Sequence, residues 1–154
     1  MIATVGGIGR LRPAPGTWGS LAALLPAWIV ATATGAVGLA VALLIVSAVG
    51  IWASEIYVRR TGTHDPSAIV IDEVAGQWLT LIALPADPLA YMVGFVLFRI
   101  FDIFKPWPIS WVDRKIGGGI GVVADDLLAG AMAGVLGWLL WDKLVAYGVI
   151  DRVS

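Results

Sequence analysis

The chain has no cysteine among its 154 residues and a single histidine, His64. The first absence excludes a disulfide scaffold, a thiolate zinc site and a cysteine nucleophile. The second excludes a phosphatase that needs one histidine as nucleophile and another as acid. Charge is scarce as well. Charged residues make up 14% of the chain, against about 25% in a typical soluble domain, too few to wet a globule of this size. Ten Lys and Arg stand against eleven Asp and Glu, a net charge of −1 with no basic stripe, so nucleic acid is excluded as a partner. No Gly-Lys-Ser/Thr follows any glycine run, so there is no nucleotide-binding P-loop. No apolar stretch alternates with period two, so strands are not expected.

What remains is apolar: 59% hydrophobic residues and a mean hydropathy of +0.90. These values predict an all-α, multi-pass membrane helix bundle of about four or five helices, occupying residues 1–154 as a single domain. Met1–Ser20, with Arg10, Arg12, Pro13 and Pro15, reads as a loop, not a signal peptide. Leu21–Ala33 and Ala36–Ala53, separated by Thr34–Gly35, read as the arms of a helical hairpin. The second arm has 18 residues without a charge, about 27 Å of helix and close to the thickness of a bilayer core. Pro66–Leu84 is a third stretch, interrupted by Asp72–Glu73 and able to penetrate only part-way. A turn, Pro85–Pro88, leads into a fourth stretch, Leu89–Phe104. Lys105–Asp126 reads as a loop with a Gly117–Gly121 cluster, and Leu127–Trp141 is the last span.

Basic residues cluster in alternate connections. They are Arg10 and Arg12, then Arg59 and Arg60, then Lys105, Arg114 and Lys115. The positive-inside rule assigns those connections to the cytoplasm and, after five spans, puts the C-terminus outside.

On that topology nearly every ionisable group falls at the cytoplasmic ends of the helices. Asp72, Glu73, Asp102, Asp125 and Asp126 lie within or against apolar helices, where a charge costs several kcal/mol unless paired or wetted. A hard divalent cation with oxygen ligands would offset their mutual repulsion, and Mg²⁺ suits a site that also takes phosphate. Alternatively the acids pair with Arg99, Lys105 and Arg114; Arg99 and Asp102, three apart, can share a helix face. Asp72 and Glu73 diverge by about 100° on a helix, so one of them is expected to face the metal. Arg10, Arg12, Arg99, Lys105 and Arg114 can hydrogen-bond phosphate oxygens, whereas Arg59–Arg60 need only reflect the positive-inside bias. The glycine cluster could turn backbone N–H groups toward a phosphate. His64, before the Asp72–Glu73 helix, is a weaker candidate for proton transfer.

Four runs carry a resemblance: "GRLRPAPGTWGS"; "HDPSAIVIDEVAGQW" with "LIALP"; "FVLFRIFDIFKPWPISWVDR"; and "GGGIGVVADDLLAG". In order and spacing, from about Gly9 to Gly130, the chain resembles the phosphatidylglycerophosphatase A family of bacterial inner membranes. The resemblance implies Mg²⁺-dependent hydrolysis of phosphatidylglycerophosphate, a lipid substrate, to phosphatidylglycerol and phosphate, a step toward cardiolipin. It implies a site facing the cytoplasm. Carried onto this chain, Asp72, Glu73, Asp102 and His64 are the catalytic candidates. Glu73, Asp102, Asp125 and Asp126 are the metal candidates, and Arg99, Lys105, Arg114 and Arg10 the phosphate-binding ones.

Two other readings compete. A small ion- or proton-translocating subunit would carry acids at mid-bilayer on several spans. A CDP-lipid phosphoalcohol transferase would carry an Asp-Gly-x-x-Ala-Arg opening, which is missing here.

Overall fold

The structure is a computed structural model, and it describes residues 1–62 and 68–150. Every regular element among them is helical: a 3₁₀ turn over Val5–Arg10, then α1 (Pro15–Thr61), α2 (Ile71–Ile82), α3 (Pro88–Phe104), α4 (Ile109–Lys115) and α5 (Gly118–Ala146).

α1 is the expected hairpin. Its chain reverses at Gly35, where φ is 71° and ψ −173°, a conformation open to glycine and costly for other residues. Gly19 on the first arm packs on Val70 and Gly50 on the second packs on Ile71, so both arms pass the start of α2 at one level. The first arm begins six residues earlier than the first apolar stretch, at Pro15, because proline fits a helix's opening turn, where its missing N–H has no helical partner. The most apolar window of α1 is only 11% buried, and Leu25, Val37 and Leu44 stand exposed on it. α1 and α5 are both long and apolar enough to cross a membrane, and an apolar surface this open is what lipid, not water, would cover.

α2 is a half-length helix. Its 12 residues reach about 18 Å, well short of a bilayer core of about 30 Å. Its start is pinned by the N-terminal segment, where Ala3 O accepts from the N–H groups of Val70 (2.9 Å) and Ile71 (3.3 Å). Trp78 Nε1 donates to Ala23 O at 2.9 Å, locking α2 to the hairpin. After the Pro85–Pro88 turn, α3 returns antiparallel. Asp87 caps it by accepting from Ala90 N at 3.0 Å, with Pro88 at its first position.

Lys105–Asp126, expected as a loop, is largely helical. α4 follows Pro106 and Pro108, and α5 begins at Gly118, so the glycine cluster lies inside a helix. Its glycines are kept small by packing. A Cβ on Gly119 would sit 2.2 Å from Ile51 O on the hairpin, and close helix approach here overrides weak helix propensity. Gly119 N donates to Glu55 Oε2 at 2.7 Å, so that N–H serves the hairpin and not an anion.

α5 runs parallel to α2. Gly76 lies against Asp126 and Gly130, while Gly134 lies against Thr80 and Ala83. Thr80 Oγ1 reaches the carbonyls of Gly76 and Gly130, each at 3.1 Å. The starts of α1, α2 and α5 and the end of α3 thereby meet at one end of the bundle.

Candidate active site

At that end lies a cavity of about 250 Å³. Its ionisable lining comes from four elements and one turn: Asp72 and Glu73 (α2), Arg99 and Asp102 (α3), Lys105 (the turn after α3), Asp113 (α4), and Asp125 and Asp126 (α5). Six carboxylates face two cations.

Asp72, Glu73 and Asp126 form the tightest group. Each offers a carboxylate oxygen, and these oxygens lie within 4.8 Å of one another. Asp72 and Asp126 are buried, at 7% and 5% exposure. Asp72 Oδ1 accepts from Glu73 N at 3.0 Å, which fixes the Asp72 carboxylate at the N-terminus of α2, whose dipole favours negative charge. Glu73 Oε2 is buried and has no hydrogen-bond partner among the described residues. Gly16, at the start of α1, lies over Glu73, and a Cβ there would fall 2.2 Å from Glu73 Oε1.

The other two acids from the sequence pair with cations. Asp102 Oδ2 lies 2.5 Å from Arg99 Nη1, the pair expected from their spacing. Arg99 Nη1 also donates to Ser20 Oγ at 3.3 Å. Lys105 Nζ donates to Asp125 Oδ2 at 2.6 Å and to Asp113 Oδ1 at 2.7 Å. Partial burial works against the Lys105 ammonium, but these two carboxylates outweigh it and hold its pKa above the ordinary lysine value. Asp125 Oδ1 and Arg99 Nε are buried without partners among the described residues.

The structure thus brings Asp72, Glu73, Asp102, Asp125, Asp126, Arg99 and Lys105 to one cavity. Arg10 and Arg114 are exposed and do not line it. His64 lies outside the described residues. Asp113 was not singled out from the sequence. The signal was the pair of prolines after Lys105, which turns the chain so that α4 comes back over the lysine.

Bundle and cavity together define a class: a helical membrane-type protein with an acidic, cation-flanked cavity at one end. The family profile for Phosphatidylglycerophosphatase A matches residues 1–141. A Phosphatidylglycerophosphatase A from Escherichia coli is 41% identical over 124 residues, covering 79% of this chain and 72% of that protein. Another with that name, from Haemophilus influenzae, is 36% identical over 128 residues, covering 82% and 78%. A Bacteroides thetaiotaomicron protein named "Putative phosphatidylinositol-3-phosphatase" is 37% identical over 148 residues, covering 88% and 89%. No solved structure matches the chain. The chain belongs to the phosphatidylglycerophosphatase A family and is a phosphatase.

Proposed function

We propose that this protein hydrolyses phosphatidylglycerophosphate to phosphatidylglycerol and inorganic phosphate, with Mg²⁺ as cofactor. It would do so at the cytoplasmic face of a bacterial inner membrane, feeding cardiolipin synthesis. The observation that carries this reading is the cluster of Asp72, Glu73 and Asp126 in a cavity that also presents Arg99 and Lys105.

The residues suit the cation. All three donors are carboxylate oxygens, the hard ligands Mg²⁺ prefers, and the buried Glu73 Oε2 lacks a partner among the described residues. The four-charge surplus of acids over bases lining the cavity also opposes an incoming phosphate dianion until positive charge is added. Asp72, Glu73 and Asp126 would hold the ion, with Asp125 and Asp102 beside them. When bound, it would neutralise charge on the phosphoryl oxygens.

The chain's own groups do the rest. The Arg99 guanidinium and Lys105 ammonium bind non-bridging phosphate oxygens and favour the charge that spreads over them as the ester bond breaks. Asp102 orients Arg99, and Asp113 and Asp125 orient Lys105. Asp102 also accepts a proton from the attacking water, whose oxygen bonds to phosphorus. The P–O bond to the glycerol oxygen breaks, and that oxygen takes up a proton to leave as an alcohol. His64 remains a candidate donor for that proton. The six acids that line the cavity lie at one end of the described bundle, and the apolar centre of α1 carries none, which favours an enzyme over an ion path.

The test is phosphate release from phosphatidylglycerophosphate by the purified protein in detergent. Release should require Mg²⁺ and stop with EDTA. Glu73→Gln and Asp126→Asn should each lower kcat at least about 100-fold with helicity intact. Undiminished turnover in EDTA, or in both variants, would overturn the assignment.

A further inference from the structure

A second groove, of about 500 Å³, adjoins the catalytic cavity and has no part in the chemistry above. It is bounded by Ile51, Trp52, Ile56 and Arg59 on the second arm of α1 and by Ile120 on α5. Gly117 lines both spaces. Gly118, on the cavity wall, approaches Glu55 of the groove so closely that a Cβ would fall 2.7 Å from Glu55 Oε2. Gly117 and Gly118 thus stand where the two spaces adjoin.

The groove is apolar at one end and cationic at the other. Trp52 on α1 and Ile120 on α5 are 58% and 59% exposed, and Trp52 lies toward the apolar centre of α1. Arg59 is seven residues further along the helix, about 10 Å, on the side of the charged cavity. Its side chain is 77% exposed. Among the described residues Arg59 uses only Nε, on Glu55 Oε1 at 2.6 Å, leaving both Nη groups without a partner among them. The second Glu55 oxygen is already held by Gly119 N, so the acid's charge is partly satisfied by the protein.

The lipids named for the relatives, a phosphatidylglycerophosphate and a phosphatidylinositol 3-phosphate, differ in their headgroups. They share a diacylglycerol phosphodiester attached to a polar unit that bears a distal phosphomonoester. With the monoester in the catalytic cavity, that shared limb has to lie next door, its phosphodiester at the headgroup level and its acyl chain toward the core. We propose that this groove is the subsite for the limb: Arg59 binds the phosphodiester, and Ile51, Trp52, Ile56 and Ile120 receive the first segment of an acyl chain. This inference rests on the assigned phosphatase reaction and adds a binding determinant to it.

The experiment compares two substrates. One is phosphatidylglycerophosphate in detergent micelles; the other is glycerol phosphate, a monoester with no phosphodiester and no chain. Arg59→Gln should raise KM for the lipid roughly tenfold, the loss of one charge-assisted hydrogen bond, with kcat unchanged and glycerol phosphate hydrolysis unaffected. Arg59→Lys should recover part of the loss. Arg60→Gln, which removes a neighbouring charge that lies outside this groove, should leave both substrates at parent values. Equal effects at Arg59 and Arg60 would reduce the role to surface potential and overturn the subsite. So would an equal loss on both substrates, or no change at Arg59. Failure of the wild-type protein to act on phosphatidylglycerophosphate sinks the reaction assignment and the subsite with it; normal wild-type turnover with parent-like variants sinks the subsite alone.

Discussion

Gly130→Ala adds one methyl group at the crossing of α2 and α5. An ideal Cβ at Gly130 would lie 2.2 Å from Gly76 O, 2.9 Å from Gly76 C and 3.1 Å from Gly76 Cα. Every one of these neighbours is backbone, so no side chain can swing aside. Ordinary contact lies more than about 1 Å further out, and the helices must separate by that amount. Overpacking of this kind costs about 1–3 kcal/mol, and the rigidity of both partners argues for the upper end. Gly134→Ala is the internal control. It is the same change one turn along the same helix, but its nearest neighbours lie at 3.4 Å, so it should be neutral or slightly stabilising through helix propensity. The separation also matters to chemistry. Asp126 is one turn before Gly130 on α5, and Asp72 and Glu73 are on the opposing helix, so parting the helices opens the carboxylate cluster. Displacements near 1 Å in a reacting constellation cost about 100-fold in rate. Thermal unfolding in detergent, followed by tryptophan fluorescence, should show Gly130→Ala lower in Tm by roughly 5–10 °C with phosphate release nearly lost. Gly134→Ala should match the parent in both. Parent-like behaviour at Gly130, or equal damage at Gly134, would refute the argument that these backbones set the depth of the site.

Lys105→Met should nearly abolish phosphate release. It should also destabilise the fold by about 3 kcal/mol, because Asp125, 6% exposed, loses its cation; Lys105→Arg should keep most of the stability, as read by the same melt. The raised pKa of Lys105 fixes the sign of its pH dependence. Its stabilisation is fully present below the unfolded lysine pKa, about 10.4, and is lost only as pH rises through the still higher folded value. Lys105 therefore stays charged from pH 6 to 9, and melts across that window should show Lys105→Met below the parent throughout. A variant that melts with the parent at any pH in that range would contradict the ion pairing. Trp78→Phe deletes the Nε1 bond to Ala23 O and should cost about 1 kcal/mol, seen as a lower Tm with KM for the lipid unchanged.

Much of this bundle is written in local signals. The hairpin is legible because two apolar runs flank Thr34–Gly35, and the Arg99–Asp102 pair because i and i+3 share a helix face. The positions of acids at helix ends are likewise visible in the chain. Relations between helices are less so. The expectation that Asp72 and Glu73 would point apart followed from a rotation of about 100° per residue. Yet both offer an oxygen to the group that includes Asp126, since a carboxylate on one or two methylenes can swing back over a helix end. The glycine cluster reads as a loop in the sequence because glycine weakens an isolated helix. Its actual constraint, the approach of Gly119 to Ile51 O, comes from a segment almost seventy residues earlier.

The least legible feature is what brings three helices' acids to one depth. The carboxylates repel one another, so their convergence has to be imposed by packing elsewhere in the bundle. That packing is strongest where side chains are missing. Gly76 and Gly130 let α2 and α5 touch backbone to backbone one turn beyond Glu73 and Asp126, and Thr80 ties both carbonyls together. In a lipid-surrounded bundle small residues of this kind are what permit close association. Residues with no chemistry of their own thus set the spacing of those that have it. For this reason a methyl group at Gly130 should matter to turnover as much as the loss of a charge.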